Sequence, residues 1–511
     1  MGKVSRRPAR EAAKQALQKK HQYRELRQQQ QAAGLIVPAP PSPASRLSPY
    51  QSVEEECHAR TEAVTEQARV FRAQLPTLLK RLRQIQDTRN PKKLKHALVS
   101  LMLYGILVFV LHYSSRREAN TDITRPMFEH NLRLLFPELD SLPHADTLFR
   151  LLSKIDVGQI EHAHIDLVER LIRKKKFANY RINNCYPIAI DGTQKVGGAT
   201  LWSESLQEKR LSGSDQDAPE HARYQYHVYV LEANLCFHNG MVIPLMSEFL
   251  DYQHGDTEQN KQDCELRAFH RLAERIKKAF PRLAVMLLLD GLYPNGPVLE
   301  RCRDYHWQFM IVLKDDSLPT VWTEYGALLK FKPDNEHRQS WGERAQHFRW
   351  VNDIRYEYGP NHRHHRDVHV VLCRENWQAL DEDGEIVTKT AKHAWISSQK
   401  LRRENVHQRC NLAARHRWGI ESCNLVEKHH GYRYEHLFAK NWNAMRGYHY
   451  LMRLAHLLNT LARFSSALVA QHLAIGVRAF IQFVRSTYSG PWLDPPTVKQ
   501  RMERPFQLRF T

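Results

Sequence analysis

The chain has 511 residues, 42% hydrophobic and 25% charged, a composition typical of globular proteins that excludes a wholly disordered basic tail. It carries 75 Lys and Arg against 55 Asp and Glu, which leaves a formal net charge of +20 at pH 7. The length allows roughly two to four domains. The excess positive charge indicates a polyanionic partner, nucleic acid first and an acidic membrane surface second.

The cysteines and the N-terminus bear on the cellular compartment. Eight cysteines are scattered along the chain with no C-x-x-C pair, which argues against a zinc ribbon and against a disulfide framework. Residues 1–31 are polar and basic, so we expect no secretory leader. Both features are typical of a protein of the reducing cytoplasm. Gly-rich phosphate loops are absent from the sequence, so we expect no nucleotide cofactor.

The first third of the chain is predicted to be helical. Residues 1–34 are predicted to form a basic arm, residues 35–50 a Pro-rich linker, and residues 51–180 an all-helical domain. Within this domain, residues 97–113 are continuously apolar and follow a basic stretch, which is also the pattern of a short membrane span. Ser100, Gly105 and His112 interrupt the segment, and its length is at the lower limit for a span. We therefore predict a buried core helix and no membrane partner; a membrane-associated protein is the alternative.

The pattern changes to short apolar runs that alternate with helices. Five runs predict strands: residues 186–190, 224–237, 241–250, 284–289 and 308–313. A helix cap is predicted at residues 256–259, with its helix continuing to about residue 279. Continuous runs between helices indicate strands that are buried on both faces, and hence a sheet flanked by helices.

The remaining segments complete the predicted organisation. Residues 317–400 are polar and strand-like in places, and are predicted to form a β-rich insertion. Helical patterns return at residues 405–429, 441–464 and 466–485. The predicted core thus consists of residues 181–316 and 401–465, followed by a C-terminal helix and tail at residues 466–511. The fold class is mixed α/β.

Two aspartates directly follow apolar strand runs. Asp191 comes after residues 186–190 and is followed by Gly and Thr, and Asp290 comes after residues 284–289 and is followed by Gly, Leu and Tyr. In open α/β sheets the active site lies beyond the carboxyl ends of the strands, where metal-binding carboxylates would be expected. The alternative is that each aspartate only begins a turn, since Asp-Gly is a common turn pair.

A third carboxylate lies between two cations on one helix. Arg417 precedes Glu421 by four residues, and Lys428 follows it by seven, so the three share one stripe of a helix. The same pattern also fits a solvated ion-pair face. An apolar side adjoining the stripe is expected to dock on the sheet and is formed by three residues: Trp418, Leu425 and Val426.

Two other sets of residues are weaker candidates. Glu427 lies about 120° from the Glu421 stripe and is a poor substitute for Glu421. A His-rich stretch lacks Cys and paired ligand spacing, so a basic loop that contacts DNA is favoured there over a zinc site. Its histidines are His362, His364, His365 and His369.

The three carboxylate-bearing blocks together resemble the motifs of bacterial insertion-sequence DDE transposases. The branch is the cut-and-paste one, with a Tyr-Arg-Glu-Lys signature and a β-strand insertion domain. The resemblance covers roughly residues 185–465 and rests on the blocks at residues 191–193, 290–293 and 417–428. One position departs from the signature, because Ala414 stands where these enzymes have the tyrosine. The DNA contact made by that tyrosine is therefore in question, whereas the three carboxylates are all present.

The resemblance implies a fold and a chemistry. The fold is a ribonuclease-H-like core in which Asp191 and Asp290 end adjacent strands and Glu421 comes from a later helix. These three would be the catalytic residues and would bind two Mg²⁺ ions, with Mn²⁺ as an alternative ion. Trp395 occupies the place of a tryptophan that stacks on a flipped base, with an ordinary strand aromatic as the alternative.

The resemblance also implies partners and a location. Arg417, Lys428, Trp395 and Tyr293 would contact DNA, which comprises the element's terminal inverted repeats and the target. We expect a homodimer on DNA in the bacterial cytoplasm. Two alternatives remain: a ribonuclease-H-fold nuclease without strand transfer, and a catalytically inactive DNA-binding protein descended from a transposase.

Overall fold

The computed structural model describes residues 6–36, 47–139, 141–211, 224–250, 261–381 and 384–510. It divides the chain into two compact units, each assembled from two stretches of sequence. The first unit comprises Met1–Ser42 and Leu289–Ala414, and the second comprises Pro43–Leu288 and Arg415–Thr511. The predicted helix cap at residues 256–259 lies outside the described residues, as does most of the predicted linker.

The described residues contain both helices and strands, which confirms the mixed α/β class. The helices are α1 (Arg6–Ala32), α2 (Val53–Arg72), α3 (Leu75–Leu82), α4 (Leu98–Val110), α5 (Arg116–Ile123), α6 (Pro126–Leu135), α7 (Ala145–Leu152), α8 (Gly158–Arg173), α9 (Lys261–Ala279), α10 (Gly296–Asp304), α11 (Pro319–Leu329), α12 (Arg403–His407), α13 (Trp418–His429), α14 (Trp442–Arg463), α15 (Val469–Tyr488) and α16 (Pro495–Glu503). The strands are β1 (Tyr186–Gly198), β2 (Gln207–Arg210), β3 (Tyr224–Cys236), β4 (Val242–Phe249), β5 (Val285–Leu289), β6 (Gln308–Val312), β7 (Glu336–Trp341), β8 (Arg344–Tyr358), β9 (His364–Leu380) and β10 (Ile386–Ser397).

The second unit is built on a mixed sheet. β1 pairs in parallel with β5 on one side and antiparallel with β3 on the other. β2 and β4 pair with different halves of β3, both antiparallel. β5 is wholly apolar and buried, and β3 is buried from His227 to Cys236, because helices cover the sheet. α8, α9, α13 and α14 all pack against strands of this sheet.

The apolar segment at residues 97–113 forms a core helix, as predicted. Every residue of α4 is buried, and α4 packs against α14 and α7 in the second unit. Gly105 lets the helices approach closely, because a Cβ there would lie 2.8 Å from Leu451 Cδ1 and 2.9 Å from Leu148 Cδ2. At 13 residues, α4 is about 20 Å long, well short of the roughly 30 Å of a bilayer core. None of the described helices is long and apolar enough to cross a membrane.

The first unit contains an antiparallel sheet in the order β6-β10-β9-β8-β7. The strands predicted within residues 317–400 are therefore observed, with α11 preceding them. α1 lies on β9, where Tyr23 Oη donates a hydrogen bond of 2.9 Å to the Gln378 carbonyl. Ion pairs extend this contact, including Arg27 Nη2 with Glu343 Oε2 at 2.7 Å.

A π-helical segment at Gln408–Ala413 is held to the first unit by a buried arginine. Arg409 is fully buried, and its guanidinium donates to Ser397 Oγ at 3.0 Å and to Gln308 Oε1 at 2.8 Å. The bonds join the segment to β10 and β6 and satisfy a charge that would otherwise be costly to bury. The segment leads into a 3₁₀ turn, Ala414–Arg417, and then into α13.

Candidate functional site

Asp191 and Asp290 extend from neighbouring parallel strands. Ala189 of β1 pairs with Leu288 of β5, and each aspartate comes two residues after its paired strand residue. Asp290 opens a turn: Leu292 N donates to Asp290 Oδ1 at 2.9 Å, and Tyr293 N donates to its carbonyl at 3.3 Å. Asp290 therefore begins a turn, as the alternative interpretation of the Asp-Gly pair predicted.

Asp191 does not end its strand, and on this point the prediction was wrong. β1 continues to Gly198 because β3 pairs with it along that length, and Asp191 lies opposite Glu232. Because the strand continues through Asp191, this residue does not begin a turn. Gly192 is required by a close neighbour, since a Cβ there would overlap the ring of Tyr229. A side chain at position 192 would require the Tyr229 ring or the strand backbone to shift.

The pairing of Asp191 with Glu232 shows which face of the sheet Asp191 shares. Residues directly opposite each other on antiparallel strands point to the same face. Glu232 is buried under α14, where its Oε2 lies 3.2 Å from Arg453 Nη2. Two residues along β3, Asn234 accepts a hydrogen bond from the same arginine. Asp191 therefore lies on the face of β3 from which Glu232 and Asn234 contact Arg453 of α14.

Glu421 lies on α13, which packs on this sheet. Arg417 Nη2 donates to Glu421 Oε1 at 2.9 Å, as expected for residues four apart on one helical stripe. Glu421 keeps 38% of its side chain exposed, while Arg417 keeps 9%. Lys428 Nζ lies 3.0 Å from Glu435 Oε1. Both predicted DNA-binding cations are thus paired with carboxylates.

The side of α13 that docks on the sheet differs from the prediction. Trp418 is 61% exposed and Leu425 is 51% exposed, so these residues do not form the docking side. The buried residues of α13 are Ile420, Cys423 and Glu427. Gly419 brings the helix close to β3 and β4, since a Cβ there would lie 3.3 Å from Cys236 Sγ and 3.2 Å from Val242 Cγ2.

Glu427 is buried because partners on other elements neutralise it. Its Oε1 lies 3.0 Å from Arg453 Nη1 and 2.7 Å from His456 Nδ1, both on α14. Arg453 also contacts Glu232 of β3, which accepts a hydrogen bond of 2.9 Å from Tyr434 Oη. Arg453 of α14 therefore contacts α13 and the sheet at once. The residue of α13 that it contacts is a buried carboxylate, Glu427.

The sequence analysis did not identify this network, although α14 carries a signal of it. Buried polar residues recur along this otherwise apolar helix at intervals of three or four: His449, Arg453, His456, Thr460 and Arg463. Such spacing places them on one stripe of the helix. A polar stripe within an apolar helix indicates a buried hydrogen-bonded network, because unpaired charges are costly to bury.

The ionisation of Glu427 predicts an acid-sensitive fold. Burial opposes ionisation, but Arg453 and the hydrogen bond with His456 outweigh it and lower the pKa of Glu427 from 4.5 to about 2. The unfolded chain then binds more protons than the folded chain between these values. We expect the stabilisation from Glu427 to be complete above pH 4.5 and to be lost as the pH falls to about 2. Urea unfolding of the wild type and Glu427→Gln across this pH range measures the free energy of unfolding. The same dependence of that free energy on pH in both proteins would contradict the prediction.

Among the described residues, the side chains close enough together to bind one metal ion are not the three predicted carboxylates. The potential ligand atoms of Cys423, Glu427 and His456 lie within 4.8 Å of one another, and the three predicted carboxylates form no such group there. The Arg453 guanidinium already occupies the same Glu427 oxygen. Two of the histidines at 362–369 have separate partners: His369 Nδ1 accepts a hydrogen bond of 3.0 Å from Asp353 N, and His364 stacks on Tyr358 at a centroid distance of 5.5 Å.

The two aromatic residues predicted to contact DNA are both buried. Trp395 is 4% exposed and stacks on His393 at a centroid distance of 5.8 Å. This position fits the alternative of an ordinary strand aromatic. Tyr293 is fully buried in the first unit. DNA contact by either ring therefore requires the surrounding structure to rearrange. Ala414, at the signature tyrosine position, is also buried.

Comparison with known proteins connects the helical region to transposases. Residues 79–168 match a family model described as DDE_Tnp_1-associated. The matched segment begins within α3 and ends within α8, so it includes the buried helix α4. A search of curated proteins finds no match. The family match points to DDE-type transposases and covers only a minor part of the chain.

Proposed function

We propose that the protein is a DDE transposase that binds the terminal inverted repeats of an insertion sequence and catalyses excision and strand transfer. The observation that carries this proposal is the match of residues 79–168 to a transposase-associated domain, in a chain that also bears the three expected carboxylates. The shared face of Asp191 and Glu232, and the packing of α13 on that sheet, support a ribonuclease-H-like core.

The residues present suit a hard divalent cation. Asp191, Asp290 and Glu421 offer only carboxylate oxygens, the ligand type that Mg²⁺ prefers, and all three are partly exposed. In this proposal they hold two Mg²⁺ ions, with Mn²⁺ as an alternative. Such a pair lowers the pKa of an attacking water and stabilises a leaving 3′ oxygen.

The surrounding side chains have roles in positioning the carboxylates and the DNA. Arg417 orients Glu421 through their ion pair, which keeps its carboxylate directed along one side of α13. Lys428 would exchange its partner Glu435 for a DNA phosphate, since charge-assisted contacts to phosphate are strong. The freed 3′-OH of the DNA would then act as the nucleophile in strand transfer, so no covalent protein intermediate is needed.

The expected partners and location follow from the proposed reaction. The protein would join two transposon ends and a target duplex as a homodimer, in the bacterial cytoplasm and without a nucleotide cofactor. Trp395 and Tyr293 would contact DNA only after the structure around them opens, because both are buried. The helical domain at residues 51–180 would recognise much of the transposon end.

The decisive experiment uses the DNA that flanks the gene. We expect short inverted repeats on both sides, and we expect duplexes that carry them to be bound, cleaved with Mg²⁺ and left intact with EDTA. Pre-cut ends should be joined to a target plasmid. Cleavage without joining would favour the nuclease alternative, and binding without cleavage would favour the inactive DNA-binding protein.

A further inference from the structure

One face of the antiparallel sheet in the first unit carries a row of basic side chains across four strands. Arg338 pairs with His347, His347 pairs with Arg374, and Arg374 pairs with Lys392. Because directly opposed residues in antiparallel strands point to the same face, all four side chains project from one side. The row runs from β7 through β8 and β9 to β10.

The row lines a groove that is open to solvent. Arg338, Arg374 and Lys392 are exposed and His347 is partly exposed, whereas Glu375, which follows Arg374 along β9, is buried on the opposite face. A groove of about 870 Å³ runs beside the row. The next row on the same face consists of small residues that also line the groove: Ser340, Ala345, Asn376 and Thr390.

The charge of the row is not balanced within the described structure. His347 Nε2 lies 2.8 Å from Glu336, and Lys392 Nζ lies 2.6 Å from Asp315. Neither Arg338 nor Arg374 forms an ion pair within 4.0 Å among the described residues. Like charges directly opposite each other destabilise a sheet, so folding of the sheet does not account for this row.

We propose that this basic row binds the phosphate backbone of double-stranded DNA without reading its sequence. Four neighbouring strands span roughly 14 Å, because strands lie about 4.8 Å apart. One strand of B-DNA presents a phosphate about every 3.4 Å along its axis, so about four phosphates match this span. The Thr390 hydroxyl and the Asn376 amide of the adjacent row supply further donors to phosphate oxygens, whereas Ser340 Oγ donates to the Leu35 carbonyl at 2.8 Å.

The composition of the groove favours a duplex over a single strand. No Phe, Tyr or Trp is found among the described residues that line it, and the Trp322 ring beside the row is covered by the Lys392 ammonium at 5.0 Å. Unpaired bases would therefore find no aromatic platform within the groove. Backbone contact alone makes the binding independent of sequence. The inference takes DNA as the polyanion from the proposed function, but it requires neither metal nor cleavage.

The test measures how salt affects DNA binding by the full-length protein. A fluorescent random-sequence duplex is titrated in EDTA at several salt concentrations, with wild type and with the double variant Arg338→Gln/Arg374→Gln. We expect the slope of log affinity against log salt to become shallower by about 2, because each lost phosphate contact removes about one released counterion. The affinity should fall roughly tenfold at moderate salt.

The matched control removes a cation from the opposite face of the same sheet. Lys389 of β10 is exposed and lies three residues from Lys392, and Lys389→Gln should leave the slope and the affinity unchanged. The single variant Arg374→Gln is titrated beside it. An equal effect of Lys389→Gln and Arg374→Gln would overturn the proposal, because net charge alone would then explain the loss. An unchanged slope in the double variant would overturn it as well.

Two further measurements separate this surface from the catalytic proposal and from another partner. Cleavage of transposon ends with Mg²⁺ reports on the carboxylates, so intact cleavage with an unchanged salt slope overturns only the surface. A poly-glutamate peptide that binds the wild type as tightly as the duplex, and binds the double variant less well, would identify an acidic protein as the partner. Weak binding of that peptide supports DNA.

Discussion

Replacing Asp191, Asp290 or Glu421 by the matching amide is expected to lower Mg²⁺-dependent cleavage of transposon ends by on the order of 10³-fold or more. An amide keeps the size of the side chain but removes the negative charge that would hold the cation. All three residues are partly exposed, so the substitutions should leave folding nearly unchanged. A gel assay of end cleavage measures the rate.

The control for this prediction is a carboxylate outside the proposed site. Asp304 is exposed at the end of α10 and pairs with Arg303 at 2.7 Å, so Asp304→Asn should cleave at the wild-type rate. Binding of end-bearing duplexes should persist in all four variants. Cleavage retained by each of the three amide variants would refute the catalytic assignment.

Replacing Arg453 by methionine is expected to lower the free energy of unfolding by about 3–5 kcal/mol. Arg453 is 2% exposed and is the common partner of Glu232 and Glu427. Methionine keeps much of the volume but removes the cation that contacts both buried carboxylates directly. Chemical unfolding of the wild type and Arg453→Met provides the measurement.

A combined variant shows whether the loss arises from charge. Adding Glu232→Gln and Glu427→Gln to Arg453→Met removes the stranded charges, so much of the stability should return. Arg478→Met, at an exposed position on α15, should change stability by less than about 0.5 kcal/mol. A loss in Arg453→Met no larger than that in Arg478→Met would contradict the role of the network.

The strands of the predicted core could be located from the chain alone. The apolar runs at residues 186–190 and 284–289 became β1 and β5, which pair in parallel. Burial of α4 could also be predicted, because an apolar helix of this length is too short to span a bilayer. These features depend on local composition and periodicity.

The docking side of α13 could not be read from its own sequence. Periodicity identified the stripe of Arg417 and Glu421 correctly, and their ion pair is observed. The same reasoning turned Trp418 and Leu425 toward the sheet, whereas both are exposed and Glu427 is buried. Burial of Glu427 depends on partners contributed by α14, which α13 alone does not specify.

The sequence by itself determined where strands and helices form and which carboxylates follow the strand runs, because these depend on neighbouring residues. Tertiary structure decided that β1 extends past Asp191, that Trp395 is buried, and that a basic row crosses the insertion sheet. Each of these features depends on the register or burial set by segments distant in the chain. Arg338 and Arg374 are far apart in the chain, and they lie in one row only because both are paired with His347 of β8.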